Sequence, residues 1–441
     1  MDKKHIPSAW VKEPTAILVI HGIGNQNPVE TIDQFARTLV QELTQTLACT
    51  LRLSHRLVKK SNSNGTDVWF DNYLRIERIE NEQPVGPPID VYEYYWAHYT
   101  EDQADMLDIS KWVSEVSRGA RKFYRLNSEL GQKYDDESAF FKNRKFNPVK
   151  YSLLIYFFGV VLPALSYGIE FILKMLAYIP VIGIPFRAFA RAFADSAMRK
   201  FANVIGDITI YNTIDQKCKF YRIRQEILNG AVKAIRCLVE KDGQADTHYG
   251  KVLIAGHSLG TQVAYDALNR IIHLVNADEL KGYEGNNRNR ISEILCGFVT
   301  FGSPLDKIAF FLRENVPVSQ YIRMQMLHNF HAFKQRDWLP AKDKPWPHTI
   351  RPVFARLLEE LPWLNFYDRR DYVSGSLDYY HKLENIDIRF TGRKVFTHSL
   401  YWSSPEMFKR IIDTFLLQTP ASRASLAGQA AASQPIIMMA S

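Results

Sequence analysis

Cysteine is scarce in this chain: four among 441 residues, Cys49, Cys218, Cys237 and Cys296, far apart and without a C-x-x-C pair. That spacing fits neither a disulfide framework nor a zinc ribbon. Reduced core thiols are the plainer expectation, although an even number leaves a disulfide open. The opening stretch MDKKHIPSAWVKEPT lacks the apolar run of a cleavable signal, so synthesis in the cytosol is expected, with signal-independent export still open. No long Lys/Arg run or recognition motif accompanies the net charge of +8, and nucleic acid is therefore not an expected partner. Internal repeats, a Walker lysine and a G-x-G-x-x-G spacing are also missing. His328 and His331 form an H-x-x-H with no third ligand nearby. They read as lid or surface residues, and neither metal nor cofactor is expected.

What remains is a globular composition, 46% hydrophobic and 23% charged, long enough for one large domain with insertions or for two ordinary ones. Its most informative stretch is KVLIAGHSLGTQVAYDAL, residues 251 to 268. Residues 252 to 255 are apolar, as in a strand buried on both faces. Val263, Ala264, Ala267, Leu268 and Ile271 then recur at helical spacing. Between them Gly256-His257-Ser258-Leu259-Gly260 forms a G-x-S-x-G, whose glycines permit a sharp strand-to-helix turn that leaves the serine hydroxyl exposed at its tip. A second such junction lies near the start, in TAILVIHGIGNQNP, where Ile17 to Ile20 read as a strand running into His21-Gly22-Ile23-Gly24. A glycine-rich loop of this kind presents backbone N–H groups, the donors an acyl-transfer oxyanion needs.

A strand ending in H-G-x-G, followed much later by a strand ending in G-H-S-L-G, resembles the α/β-hydrolase superfamily and within it the lipases and esterases. The resemblance covers residues 15 to 100 and 200 to 417. It implies an α/β-hydrolase fold, with a mostly parallel central sheet flanked by helices and a helical hydrophobic insert between its two halves. It makes Ser258 the nucleophile and gives the oxyanion hole to the N–H groups of Ile23 and Leu259. It also implies the chain order serine, acid, histidine, each on a loop after a strand. LCGFVTFGSPLDK, residues 295 to 307, is similar to the strand that follows the nucleophile helix in lipases. After it, Trp363 to Tyr367 read as a short strand followed by Asp368 and Asp371. The D-x-V at Asp371 is similar to the acid turn of many lipases and favours it over Asp368. Asp378, in an expected helix, and Asp387, expected to open the next strand, are weaker candidates. That strand is NIDIRFTG, with Ile386, Ile388 and Phe390 alternating. His398 falls in the loop after it, whereas its rival His381 lies before it. His257 is expected to be structural. The triad is thus Ser258, Asp371 and His398.

Elsewhere, residues 29 to 49 and 215 to 240 read as helices, LRLSHRLV and NYLRIERI as strand pieces, and residues 89 to 99 as a further alternating strand. A polar, helical stretch is expected from 101 to about 132 and a final helix at 404 to 417. The expected organisation is an N-terminal part of the hydrolase domain (1–100), a helical insert (101–200), a C-terminal part (201–417) and a disordered tail (418–441). Inside the insert, residues 151 to 169 carry no charge, and 175 to 186 form a second uncharged run. Lys142, Arg144, Lys145 and Lys150 precede these runs, and Arg187, Arg191, Arg199 and Lys200 follow them. Positive flanks on both sides suit a segment that returns to its starting side. One crossing would also separate two halves of a single sheet. A re-entrant hairpin or interfacial dip is expected, or else a pair of lid helices. FFLRENV and RDWLPAKDKPWPHT are candidates for a second lid element. Either arrangement puts apolar surface near Ser258.

The expected activity is a serine carboxylic-ester hydrolase, lipase- or phospholipase-like, membrane-associated with its catalytic domain on the cytoplasmic side. Its partners would be a lipid or other apolar acyl ester and an anionic membrane surface. Acyl transfer to another alcohol, deacylation of a protein or glycolipid, a lipolytic toxin and a non-catalytic membrane-tethered protein are the alternatives. Oligomeric state is left open.

Overall fold

A computed structural model describes residues 10–22, 27–57, 72–100, 141–142, 145–147, 149, 156, 210–212, 219–240, 248–306, 320–335, 350, 353–371, 373–390 and 397–417. Ile23, the runs at 151–169 (apart from Tyr156) and 175–186, the polar stretch from 101, the second lid element and the tail from 418 lie outside the described residues. Among the described residues, no helix is long and apolar enough to cross a membrane.

The fold is an α/β arrangement around a mixed, mostly parallel sheet. Its strands are β1 (Thr15–Ile20), β2 (Thr50–Leu57), β3 (Asn72–Glu80), β4 (Gln83–Pro84), β5 (Ile89–Tyr94), β6 (Lys251–His257), β7 (Leu295–Phe301), β8 (Trp363–Tyr367) and β9 (Glu384–Asp387). In space they run β9-β8-β7-β6-β1-β5-β3-β2, with β4 on β3. From β9 to β5 every pairing is parallel, and only the β5-β3-β2 edge and β4 are antiparallel. All six residues of β1 are buried, because helices cover both faces and leave no side for polar alternation.

On one face, α1 (Glu30–Leu47) and α5 (Pro405–Ile411) pack Phe35, Leu39, Met407 and Phe408 over Ile17, Val19 and Leu253. On the other, α2 (Lys219–Val239) and α3 (Gly260–Asn276) pack Ile227, Ala231, Val263 and Ala267 over Leu18, Ile20 and Ile254. A further helix, α4 (Tyr321–Phe330), lies in the chain between β7 and β8. The sequence places α5 sharply: Pro405 sits in its first turn, and the Ser404 hydroxyl accepts the Met407 N–H at 3.3 Å as N-cap.

Several expectations are corrected. The strand at 89 stops at Tyr94, and residues 97–99 form a 3-10 turn. The chain leaves the sheet there because the Trp96 backbone and indole N–H groups both donate to His21. β5 is also buried throughout, not alternating. β9 covers only Glu384–Asp387, so Asp387 closes that strand instead of opening it. The Phe390 N–H is drawn off to the Asp368 carboxylate at 2.9 Å. Asp378 lies in a turn, not a helix. His331 is not a surface residue: it is largely buried near Asp266, and burial, then Arg224, pushes its pKa down to about 3.

Candidate active site

Parallel strands bring their carboxyl ends to one edge, and a crevice forms where neighbouring strands send their chains to opposite faces. β1 and β6 are such neighbours, with Ile20 opposite Gly256. The loops that leave them are His21-Gly22 and the Ser258 turn. After β6 the chain turns within one residue. Ser258 has φ 52°, a left-handed conformation that costs a non-glycine residue about 1–2 kcal/mol. Three hydrogen bonds hold it there, each worth about 1 kcal/mol net, one of them from the Thr261 N–H to Ser258 O at 3.0 Å. The Ser258 N–H donates to Phe301 O at 3.1 Å, and the Thr261 hydroxyl donates to Ser258 O at 2.6 Å. The Thr261 hydroxyl is itself 2.8 Å from the buried Ser303 hydroxyl. Since the Thr261 proton goes to Ser258 O, Ser303 is the donor in that pair. The strain is thus offset by a relay that includes the Gly302-Ser303-Pro304 turn.

The flanking glycines are required by close approach. A Cβ on Gly260 would run into the Ile20 and His21 carbonyls, and one on Gly256 would sit 2.8 Å from Thr261 Cα. A Cβ on Gly22 would lie 2.6 Å from Ser258 Cβ and 3.1 Å from His257 Nδ1. Gly22→Ala is therefore expected to push the loop and the serine turn apart. A displacement of about 1 Å typically costs reactivity on the order of a hundredfold. The check is the rate of fluorophosphonate labelling at Ser258, set beside the thermal melting curve.

His21 is fully buried and stacked on Trp96, with ring centroids 5.0 Å apart. Its Nε2 accepts the Trp96 N–H at 2.9 Å, so Nδ1 carries the proton and donates to Gly22 O at 2.7 Å. Burial lowers its pKa to about 4, against an opposing pull from the Gly22 carbonyl, and the ring stays neutral around pH 7. Its place is to fix the loop beside Ser258. Leu259, the other expected oxyanion residue, immediately precedes α3 and is buried, where first-turn N–H groups lack intrahelical acceptors. Ile23 lies outside the described residues.

The serine, acid and histidine chosen from the sequence come together. His398 Nε2 is 2.8 Å from Ser258 Oγ, and His398 Nδ1 is 2.8 Å from Asp371 Oδ2. The Val373 N–H donates to Asp371 Oδ1 at 2.9 Å. Asp368 is engaged elsewhere: its carboxylate takes the Arg370 backbone and guanidinium N–H groups and the N–H of Phe390. Burial pushes the Asp368 carboxyl up, but those donors overcome it and hold it below the usual carboxylate range. His381 is likewise not at the site; it pairs with Glu359 at 3.1 Å.

His257 lies beside the Ser258–His398–Asp371 contacts instead of among them. Its Nε2 donates to His398 O at 3.1 Å, and burial, then the neighbouring His398, lowers its pKa to about 3. A neutral ring thereby pins the backbone of the histidine turn. That turn, the 3-10 segment Thr397–Ser403, is tied to α1 by the Thr38 hydroxyl, which donates to Trp402 O at 2.8 Å. Sequence reasoning missed Thr261, Ser303, Trp96 and Tyr401. Only Ser303 carried a local signal, in its glycine-serine-proline turn.

One buried carboxyl lies beneath the start of α1. Glu93 of β5 packs against the start of α1, and burial raises its pKa to about 7. The Thr31 hydroxyl and the Val29, Thr31 and Ile32 N–H groups hold that rise back, although none makes a hydrogen bond of ordinary geometry. The folded protein keeps this proton to higher pH than the unfolded chain does. The contribution of Glu93 to stability therefore falls as pH rises from about 4.5 to about 7. Glu93→Gln is expected to raise the melting temperature at pH 8 and to leave it nearly unchanged at pH 4. Melting curves at the two pH values check this.

Comparison of the chain with family models, with curated proteins and with solved structures finds no match.

Proposed function

We propose that the protein is a serine carboxylic-ester hydrolase of the α/β-hydrolase type, acting on a lipid or other apolar acyl ester at a membrane surface. The observation that carries this reading is the unbroken run of 2.8 Å contacts from Ser258 Oγ through His398 to Asp371. In such an arrangement the serine hydroxyl becomes a nucleophile because its proton has a positioned acceptor.

Ser258 Oγ attacks the ester carbonyl while His398 Nε2 takes its proton. Asp371 holds Nδ1–H and offsets the imidazolium charge. The Leu259 and Ile23 N–H groups receive the oxyanion. The alkoxide leaves with the proton from His398, giving an acyl-enzyme. Water, deprotonated by the same histidine, then releases the acid and restores Ser258.

The lipid preference rests on the uncharged runs at 151–169 and 175–186 and their basic flanks. Acyl transfer to another alcohol, or deacylation of a protein or glycolipid, uses the same residues and differs only in acceptor.

The test is fluorophosphonate labelling of the purified protein with and without anionic liposomes, the labelled peptide being mapped by mass spectrometry. Label on Ser258 that is lost in His398→Ala supports the triad, and faster labelling with liposomes supports the membrane part. Absence of label under both conditions would move a non-catalytic scaffold to the front.

A further inference from the structure

The side chain that ties this site together is one that takes no part in the mechanism above. Tyr401 is fully buried, and its hydroxyl has three partners: Asp371 Oδ2 at 3.1 Å, the Asp368 N–H at 2.9 Å and the Ser374 hydroxyl at 2.9 Å. The roles follow from the donor inventory. An N–H only donates, so the phenol oxygen accepts from Asp368. An ionised carboxylate only accepts, so the single phenol proton goes to Asp371. Ser374 must then donate to the second lone pair. The hydroxyl is saturated in one arrangement, and that arrangement aims its proton at the oxygen that also receives His398 Nδ1–H.

Its place in the chain adds a second constraint. Residues 397–403 form a 3-10 segment, in which side chains three apart stand on one side. His398 and Tyr401 are such a pair, with ring centroids 6.4 Å apart and planes at 85°. One rigid turn therefore delivers both the base and the phenol that grips the acid. The same hydroxyl holds the backbone of Asp368, three residues before Asp371, whose own N–H closes the acid turn by donating to Asp368 O at 2.9 Å. Burial, then the Asp371 carboxylate, pushes the phenol pKa far above its ordinary value, so the proton stays on as a donor.

We propose that Tyr401 is a positioning residue that locks Asp371 to the turn carrying His398, fixing the distance between acid and base before substrate arrives. This rests on the reading of Ser258, His398 and Asp371 as a triad. Removing the phenol hydroxyl leaves the ring packed against Phe390 and Phe301, so Tyr401→Phe removes the hydrogen bonds and little else.

The experiment follows fluorophosphonate labelling of Ser258 from pH 5 to 9, and hydrolysis of a short p-nitrophenyl ester, in wild type, Tyr401→Phe and Ser374→Ala. Tyr401→Phe is expected to slow labelling and kcat by roughly tenfold to a hundredfold with KM unchanged, by analogy with the range for outer hydrogen-bond partners of metal-bound side chains. The acidic limb of its labelling profile moves to higher pH, because a carboxylate that has lost one donor holds the imidazolium more strongly. Ser374→Ala moves the limb in the same direction by less, and it decides the matter if Tyr401→Phe does not fold.

A wild-type profile in both variants overturns the proposal. So does a loss of rate that follows a lower melting temperature while the limb stays in place, since that is a packing effect alone. Failure of wild-type protein to label at Ser258 overturns the triad reading itself, and it shows without any variant.

Discussion

If the proposed esterase reading holds, Ser258→Ala reduces ester hydrolysis by about a millionfold, the scale on which loss of the nucleophile acts in triad enzymes. The large size follows from the geometry. The serine is strained at φ 52°, held by Phe301 and Thr261, and placed 2.8 Å from His398 Nε2. A methyl group at that position leaves the loops around it intact, so folding is unaffected while attack loses its atom. The measurement is turnover of a p-nitrophenyl ester by wild type and variant preparations purified in parallel, with melting curves for both. Turnover that survives in Ser258→Ala at the wild-type rate would assign the activity to something other than this site.

Asp371→Asn should cost on the order of ten-thousandfold in kcat, because an amide in place of the carboxylate favours the wrong histidine tautomer and no longer offsets the imidazolium. Its neighbour supplies the control. Asp368 follows the same strand, yet its carboxylate serves Arg370 and Phe390 and touches neither ring nitrogen of His398. Asp368→Asn should therefore lower stability and leave kcat within about tenfold of wild type, a local shift of the acid turn being its only route to the chemistry. Kinetics of the two variants, compared at one temperature below both melting points, separate the roles. An equal loss in both would mean that the acid turn acts as a unit and that neither carboxylate is specific.

Some of this was legible in the residues because the chemistry is local. Gly256-His257-Ser258-Leu259-Gly260 needs only its own glycines and the apolar run before it to announce a strand-to-helix turn. The run of parallel strands likewise follows from continuous apolar stretches such as Ala16 to Ile20. Choosing Asp371 over Asp368 was harder, since both follow β8 and the deciding fact is where the Arg370 side chain folds back. The Tyr401 hydroxyl gives no local sign, because its partners lie about 30 residues away across another strand. Trp96 is hidden for the same reason: its bonds to His21 span 75 positions. Alternation at Ile386, Ile388 and Phe390 overstates β9, which ends at Asp387 while the Phe390 N–H turns to Asp368. Periodicity reports what a segment could pair with. Competing acceptors decide where pairing stops.

The order of strands also bears on how the chain is made. β1 lies between β5 and β6, so the centre of the sheet closes only when residue 251 meets residue 15. At a synthesis rate of roughly 5–20 residues per second, the inner edge of β1 waits on the order of tens of seconds for its partner. During that interval the edge of β1 that β6 will pair with stands open, and Leu18 and Ile20 lack the cover that α3 gives them in the finished protein. Such distant pairing makes folding slow. Pulse-labelled nascent chains stalled before residue 251 should therefore be protease-sensitive throughout β1, and chains stalled well past residue 300 should be resistant there.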